Sequence, residues 1–267
     1  MADSENSASS DNQENRSNNA ANEAVGIQNF LMQDRSATVL WLIRLYIVVS
    51  TFLYIVPLMG PDVSRNSYKR VLLGSAAISA LRLHQRLPGI EFSMVFARRL
   101  MVEDSLHYLL YSVLFLMAGS ATMVLSPIFL FALMHASSYT KKVLNASGSN
   151  GALAQKLHQY INKLTNSEMQ RQIFLFVATN EIVVFVVSIL MVISGQASML
   201  VPFFYYRFLQ LRYTSQRNPY SRMAFEQFRV AIIQLSNHPK CPGFARNLLI
   251  SIISLAARLA PAAAPAQ

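Results

Sequence analysis

Few residues of this chain have the type and spacing that chemistry demands. Glu103, Asp104 and His107 fall within one helical turn and a half of each other. Spacings of three and four put both carboxylates on the imidazole's face of a helix. An acid–base pair or a metal-ligand set would use that arrangement, and a water-boundary position where an apolar run begins accounts for the same residues without chemistry. A second group consists of Arg44 and the neighbours Asn180 and Glu181, which interrupt apolar runs. Polar and ionisable groups at membrane depth are costly, and they mark either a clasp between helices or a transport path. The histidines are otherwise scattered, and no HExxH, GxSxG or phosphate-binding loop occurs. The single cysteine, Cys241, excludes an intramolecular disulfide and a Cys-rich zinc site. Beside an amphipathic stretch it is either an acyl acceptor or an ordinary free thiol. Nothing calls for a cofactor or a metal, and no motif reads nucleic acid. The chain reads as a non-enzyme.

The elements that carry these residues are those of a membrane protein. Of 267 residues only 13% are charged, against 53% apolar, where soluble domains carry about 25% charge. A helix needs about 20 mostly apolar residues to cross roughly 30 Å of hydrocarbon. Three stretches qualify, near 38–59, 105–137 and 173–194. The second is too long for one ordinary crossing. It reads as one span with an interfacial extension, or as two short arms bent near Gly119 to Pro127. A weaker run, 71–83, is broken by Arg82 and reads as interfacial. The expected fold is all-α, with three (alternatively four) transmembrane helices. Residues 31–213 form the multi-pass domain, between a disordered acidic tail at 1–30 and a surface module at 214–260. Residues 261–267 are a disordered Ala/Pro end.

Lys and Arg in short flanks set orientation. With three crossings, the tail and the 138–172 loop share 7 bases, against 15 in the 60–104 loop and the C-terminal region. A returning hairpin at 105–137 makes the split 10 against 12. The count favours three crossings, a luminal tail and a cytosolic C-terminus. The first and third spans would then run parallel, with Arg44 and Glu181 at matched depth, which predicts an ion pair between them.

The C-terminal third mixes aromatics with arginine at 198–213, a composition suited to the headgroup level. Beyond it, Phe225, Phe228, Ile232 and Leu235 recur at helical spacing, and Phe244, Leu248, Ile252 and Leu259 form a second stripe. Basic amphipathic helices of this kind lie in the plane of a membrane surface, or pack their stripes on the transmembrane helices. The lipid bilayer is the partner these residues indicate.

Four strings carry a family resemblance: SALRLHQRLP (79–88), EDSLHYLLYS (103–112), HASSYTKKVL (135–144) and SGQASMLVPFFYYRFLQLRYTSQRNPY (194–220). In order and over about residues 30–260 they resemble the transmembrane protein 33 family of pore-membrane and perinuclear proteins, its insect members included. The resemblance implies a multi-pass protein of the endoplasmic reticulum and nuclear envelope without enzymatic activity. It also implies roles in tubular reticulum architecture, antagonism of reticulon-type shaping proteins, nuclear pore distribution and stress signalling. The partners it implies are reticulum-shaping, nuclear pore and stress-sensor membrane proteins. Two other functions stay open on the residues: a transporter or channel built on Arg44 and Asn180-Glu181, and a membrane adaptor for stress-signalling proteins.

Overall fold

The computed structural model describes residues 25–56, 60–87, 89, 93–148, 151–215, 218–238, 242–244, 246–247, 250–251 and 254. Among these residues the chain is helical and has no strand. In chain order the helices are α1 (Arg35–Ile55), α2 (Pro61–Arg86), α3 (Met94–Val102), α4 (Asp104–Leu116), α5 (Thr122–Ser147), α6 (Ala152–Leu164), α7 (Ser167–Ile193), α8 (Leu200–Thr214) and α9 (Tyr220–Ser236). A further helical segment, 25–33, leads into α1. Three of the helices, α1, α5 and α7, are long and apolar enough to cross a membrane. Their outward faces are apolar, as hydrocarbon requires. On α1, Val39, Leu42, Tyr46, Val49 and Phe52 are exposed, while Leu40, Arg44, Ile47 and Thr51 are buried.

The chain divides into two compact units, Met1–Leu45 with Ala132–Gln170, and Tyr46–Phe131 with Arg171–Gln267. In the first, Phe30 and Trp41 lie against Tyr139, with ring centroids 5.7 and 5.6 Å away. Trp41 Nε1 donates to Thr140 Oγ1 at 3.0 Å. Asp34 caps α1, accepting from Ala37 N and Ser36 Oγ, each at 2.9 Å. Those bonds hold its carboxyl below the usual aspartate value. Residues 25–30, which the sequence reading assigns to the tail, belong to the helical segment 25–33. Residues 1–24 and 261–267 lie outside the described residues.

The second unit is built from helical hairpins. The stretch 105–137 is divided at 117–121, and α4 and α5 run antiparallel about that turn. Tyr111 Oη donates to Val124 O at 2.8 Å, and the rings of Tyr108 and Phe131 meet edge to face at 5.3 Å. The helix after the turn, Thr122–Ser147, is itself long enough to span a membrane and contains Pro127. α7 and α8 form a second hairpin. Phe185 stacks near Tyr205, Glu181 meets Arg212, and Phe174 lies 5.2 Å from Tyr220. The last part of α1 turns back into α2, with Ser64 Oγ on Tyr54 O at 3.1 Å and the rings of Tyr54 and Tyr68 at 5.5 Å.

The weak run at 71–83 belongs to α2, which packs along α4. Its buried face is mostly small: Ser67, Val71, Gly74, Ser75 and Ser79. Small residues four apart let two helix backbones approach closely, and Ser112 Oγ donates to Ser75 Oγ at 2.9 Å. The turns meet at one end of the unit. Gly119 N donates to Gln196 O at 2.9 Å, and a Cβ at Gly119 would stand 3.1 Å from Gln196 Cβ. Tyr54 Oη bonds Thr122 Oγ1 at 3.1 Å, which brings the end of α1 to the start of α5.

Candidate functional site

Glu181 lies about 21 Å along α7 at 1.5 Å per residue, midway in a helix of 27 residues. It is fully buried. The cation that meets it comes from α8. Arg212 Nε donates to both carboxylate oxygens, at 3.2 and 3.1 Å. Arg212 Nη1 reaches Asp104 Oδ1 of α4 at 3.2 Å, and the guanidinium lies 5.3 Å from the centre of the Tyr108 ring. Tyr108 Oη donates to Glu181 Oε1 at 2.5 Å. Tyr205 Oη donates to the Glu181 carbonyl at 2.8 Å, and Ser215 Oγ to Asp104 Oδ1 at 3.0 Å. One arginine thus joins α4, α7 and α8 through two carboxylates. A planar guanidinium suits this work because its donors are fixed in a fork. Burying such charges is repaid only when geometry and hydrogen bonds are nearly complete; both Glu181 carboxylate oxygens are bonded, while Arg212 Nη2 is buried without a hydrogen-bond partner.

Asn180, one residue earlier, has a different task. Pro127 has no N–H, so the carbonyl of Met123, four residues before it in α5, loses its helical donor. Asn180 Nδ2 donates to that carbonyl at 2.9 Å. The side chain thus satisfies the acceptor that the proline left open.

The structure assigns the sequence-selected residues as follows. Glu181 is bonded by Arg212, and Arg44 is buried in the first unit. Glu103 accepts from Arg86 Nη1 at 2.7 Å, Asp104 joins the arginine cluster, and His107 Nε2 lies 2.7 Å from the Met101 carbonyl. Among the described residues no group of His, Cys, Asp and Glu is arranged to hold a metal ion. On α9, Phe225, Phe228 and Ile232 are half-buried and Leu235 is exposed. Phe225 lies edge to face with Tyr213 at 5.5 Å, so part of that stripe packs on α8. Phe244 is exposed, and Leu248, Ile252 and Leu259 lie outside the described residues.

Sequence reasoning missed Arg212, which it placed with Arg207 at the headgroup level. A signal was present. Val201, Tyr205, Phe208 and Arg212 stand at intervals of four, three and four, one face of a helix, and all four are buried.

Residues 19–262 match the family model described as Transmembrane protein 33/Nucleoporin POM33. Transmembrane protein 33 of Mus musculus is 43% identical over 91% of this chain and 96% of its own length. The Homo sapiens protein is 44% identical over 90% and 95%. Krueppel homolog 2 of Drosophila melanogaster is 35% identical over 87% and 82%, so the two mammalian proteins resemble the chain more than the fly protein does. No solved structure matches it. A chain with three apolar helices of spanning length, matched almost end to end by this model and these relatives, belongs to the transmembrane protein 33/nucleoporin POM33 family of membrane proteins.

Proposed function

We propose that the chain is a non-enzymatic organiser of endoplasmic-reticulum and nuclear-envelope membrane, and that it enters the bilayer as hairpins from the cytosolic face. One observation carries this reading. Phe174 and Tyr220 are ring neighbours at 5.2 Å, although the chain between them runs down α7 and back along α8. From Phe174 to Ile193 is about 29 Å at 1.5 Å per residue, close to the roughly 30 Å of the hydrocarbon core. The polypeptide therefore returns through the thickness it has just crossed. The three links, 56–60, 117–121 and 194–199, contain no charged residue. Only Arg65, Lys69 and Arg70 stand near that end, early in α2, whereas the other bases, apart from Arg16, Arg35 and Arg44, lie in 82–99, 138–172 and 207–258. The positive-inside bias then puts the links in the lumen and both chain termini in the cytosol. This arrangement differs from the luminal tail that the charge count favours when each apolar run is taken as a complete crossing.

Hairpins with small luminal turns, joined to aromatic and basic helices at the cytosolic face, occupy more area in one leaflet than in the other. That asymmetry favours curvature. The "nucleoporin" in the family's description supports a place at the pore membrane, and the partners of this reading are other reticulum-shaping, pore and stress-sensor membrane proteins. The buried arginine cluster acts as the clasp that keeps the hairpins together. Reconstitution of the full chain into large liposomes tests the curvature role: electron microscopy is expected to show narrow tubules that protein-free liposomes lack. Smooth, unaltered vesicles at equal protein content would remove it.

A further inference from the structure

The helix α6, ALAQKLHQYINKL, joins two of the spanning helices and was not singled out by the sequence pattern of long apolar runs. Leu153, Leu157, Tyr160, Ile161 and Leu164 fall on one face at helical spacing, and Gln155, Lys156, Gln159, Asn162 and Lys163 take the other. Only Ile161 of that apolar face is buried, at 5% exposure, whereas Leu153 is 83% and Tyr160 72% exposed. One edge of the helix is therefore pinned, and His158 Nε2, 2.8 Å from Asn145 Oδ1, adds a second tether to the end of α5. The remaining apolar face has no cover among the described residues of its own unit.

We infer that α6 is a membrane-surface helix whose Leu153–Leu157–Tyr160 face docks into the headgroup boundary of an anionic bilayer leaflet. Two features select lipid as the occupant. The helix begins five residues after the last residue of α5 and ends three before the first of α7, so its apolar face cannot leave the vicinity of the bilayer that those helices cross. The charge also fits. Between Asp104 and Glu168 the sequence contains no acidic residue, while Lys141, Lys142, Lys156 and Lys163 lie in this segment. Amphipathic helices with lysine on the polar face bind anionic lipid surfaces in this way. Tyrosine at the rim suits the interface, where its ring sinks and its hydroxyl stays wet. The inference rests on α5 and α7 spanning the membrane and does not depend on the curvature role.

The test uses the full chain with Cys241→Ser and one new cysteine, Leu153→Cys, Tyr160→Cys or, on the polar face, Asn162→Cys. Each is labelled with an environment-sensitive fluorophore and reconstituted in phosphatidylcholine/phosphatidylserine liposomes. Labels at 153 and 160 are expected to be quenched several-fold less by aqueous iodide than the label at 162, and several-fold more by lipids carrying a nitroxide near the headgroup. Equal iodide access on both faces overturns the inference. So does shielding of 153 and 160 without nitroxide quenching, because protein would then cover the face; a second copy is identified if that shielding weakens on dilution with lipid. Conversion of Leu157→Glu in the Tyr160→Cys protein should restore iodide access while the label stays in the membrane fraction. That arm separates loss of docking from loss of insertion.

Discussion

Arg212 and Asn180 show how single side chains hold apolar helices together where the hydrophobic effect cannot tell one lipid-facing surface from another. Arg212 is bonded to Glu181 and Asp104, so its removal leaves buried carboxylate charge without a partner. Arg212→Met is expected to cost about 3–5 kcal/mol of stability. Arg212→Lys should restore only part of it, since an ammonium lacks the fork. Adding Glu181→Leu to Arg212→Met should recover most of the loss. Thermal unfolding in detergent measures all three, and additive losses in the double variant would contradict the pairing. Asn180→Leu exposes the Met123 carbonyl that Pro127 left without a donor, at about 1–3 kcal/mol. In a Pro127→Ala background the carbonyl regains its helical N–H, so the same Asn180→Leu change should be nearly free. A double-mutant cycle by unfolding midpoint reads that coupling, and equal costs in both backgrounds would remove the assignment. The sequence made Asn180 and Glu181 conspicuous because polar groups stand out in an apolar run. It left Arg212 inconspicuous because an arginine among tyrosines has the composition of an interface. Only the spacing Val201, Tyr205, Phe208, Arg212 betrays a buried face.

Helices follow the same logic. α1, α5 and α7 were legible because length and hydropathy mark a span regardless of what surrounds it. Their companions were not. α2 carries Arg65, Lys69, Arg70, Arg82 and Arg86, and its buried face mixes Tyr68, Val71 and Leu72 with serine and glycine, small residues that add little hydropathy and act by letting α4 come close. α4 and α8, of 13 and 15 residues, are too short to announce themselves as spans, and they are held by partners far away in sequence. The α4–α5 break was legible as a bend near Gly119, yet what fixes it is the contact of one turn with another. Gly119→Leu should therefore disturb two hairpins at once. Its side chain would meet Gln196 Cβ at 3.1 Å and Gln196 O at 3.2 Å, and such overpacking costs about 1–3 kcal/mol. Gly243→Ala, which has open space around its Cβ, serves as the control. An unfolding midpoint unchanged by Gly119→Leu would show that the turns do not support each other.

At the scale of the whole chain, the same apolar runs fit two threadings that charge counting alone separates weakly. If each run is one crossing, the tail and the C-terminus lie on opposite faces. If each spanning helix is answered by an antiparallel companion, as Phe174 beside Tyr220 indicates for α7 and α8, both ends lie on one face and the uncharged links on the other. The curvature reading depends on this second threading, because only then do both chain ends and the basic segments beside them share one face, opposite the small links. Site-directed labelling in intact microsomes decides between them. In a Cys241→Ser protein, single cysteines at Ser17, Ser120, Ser198 and Ala262 are treated with a membrane-impermeant maleimide before and after permeabilisation. The account predicts that Ser17→Cys and Ala262→Cys react in intact microsomes, and that Ser120→Cys and Ser198→Cys react only once the membrane is opened. Reaction of positions 17 and 262 from opposite faces would contradict it.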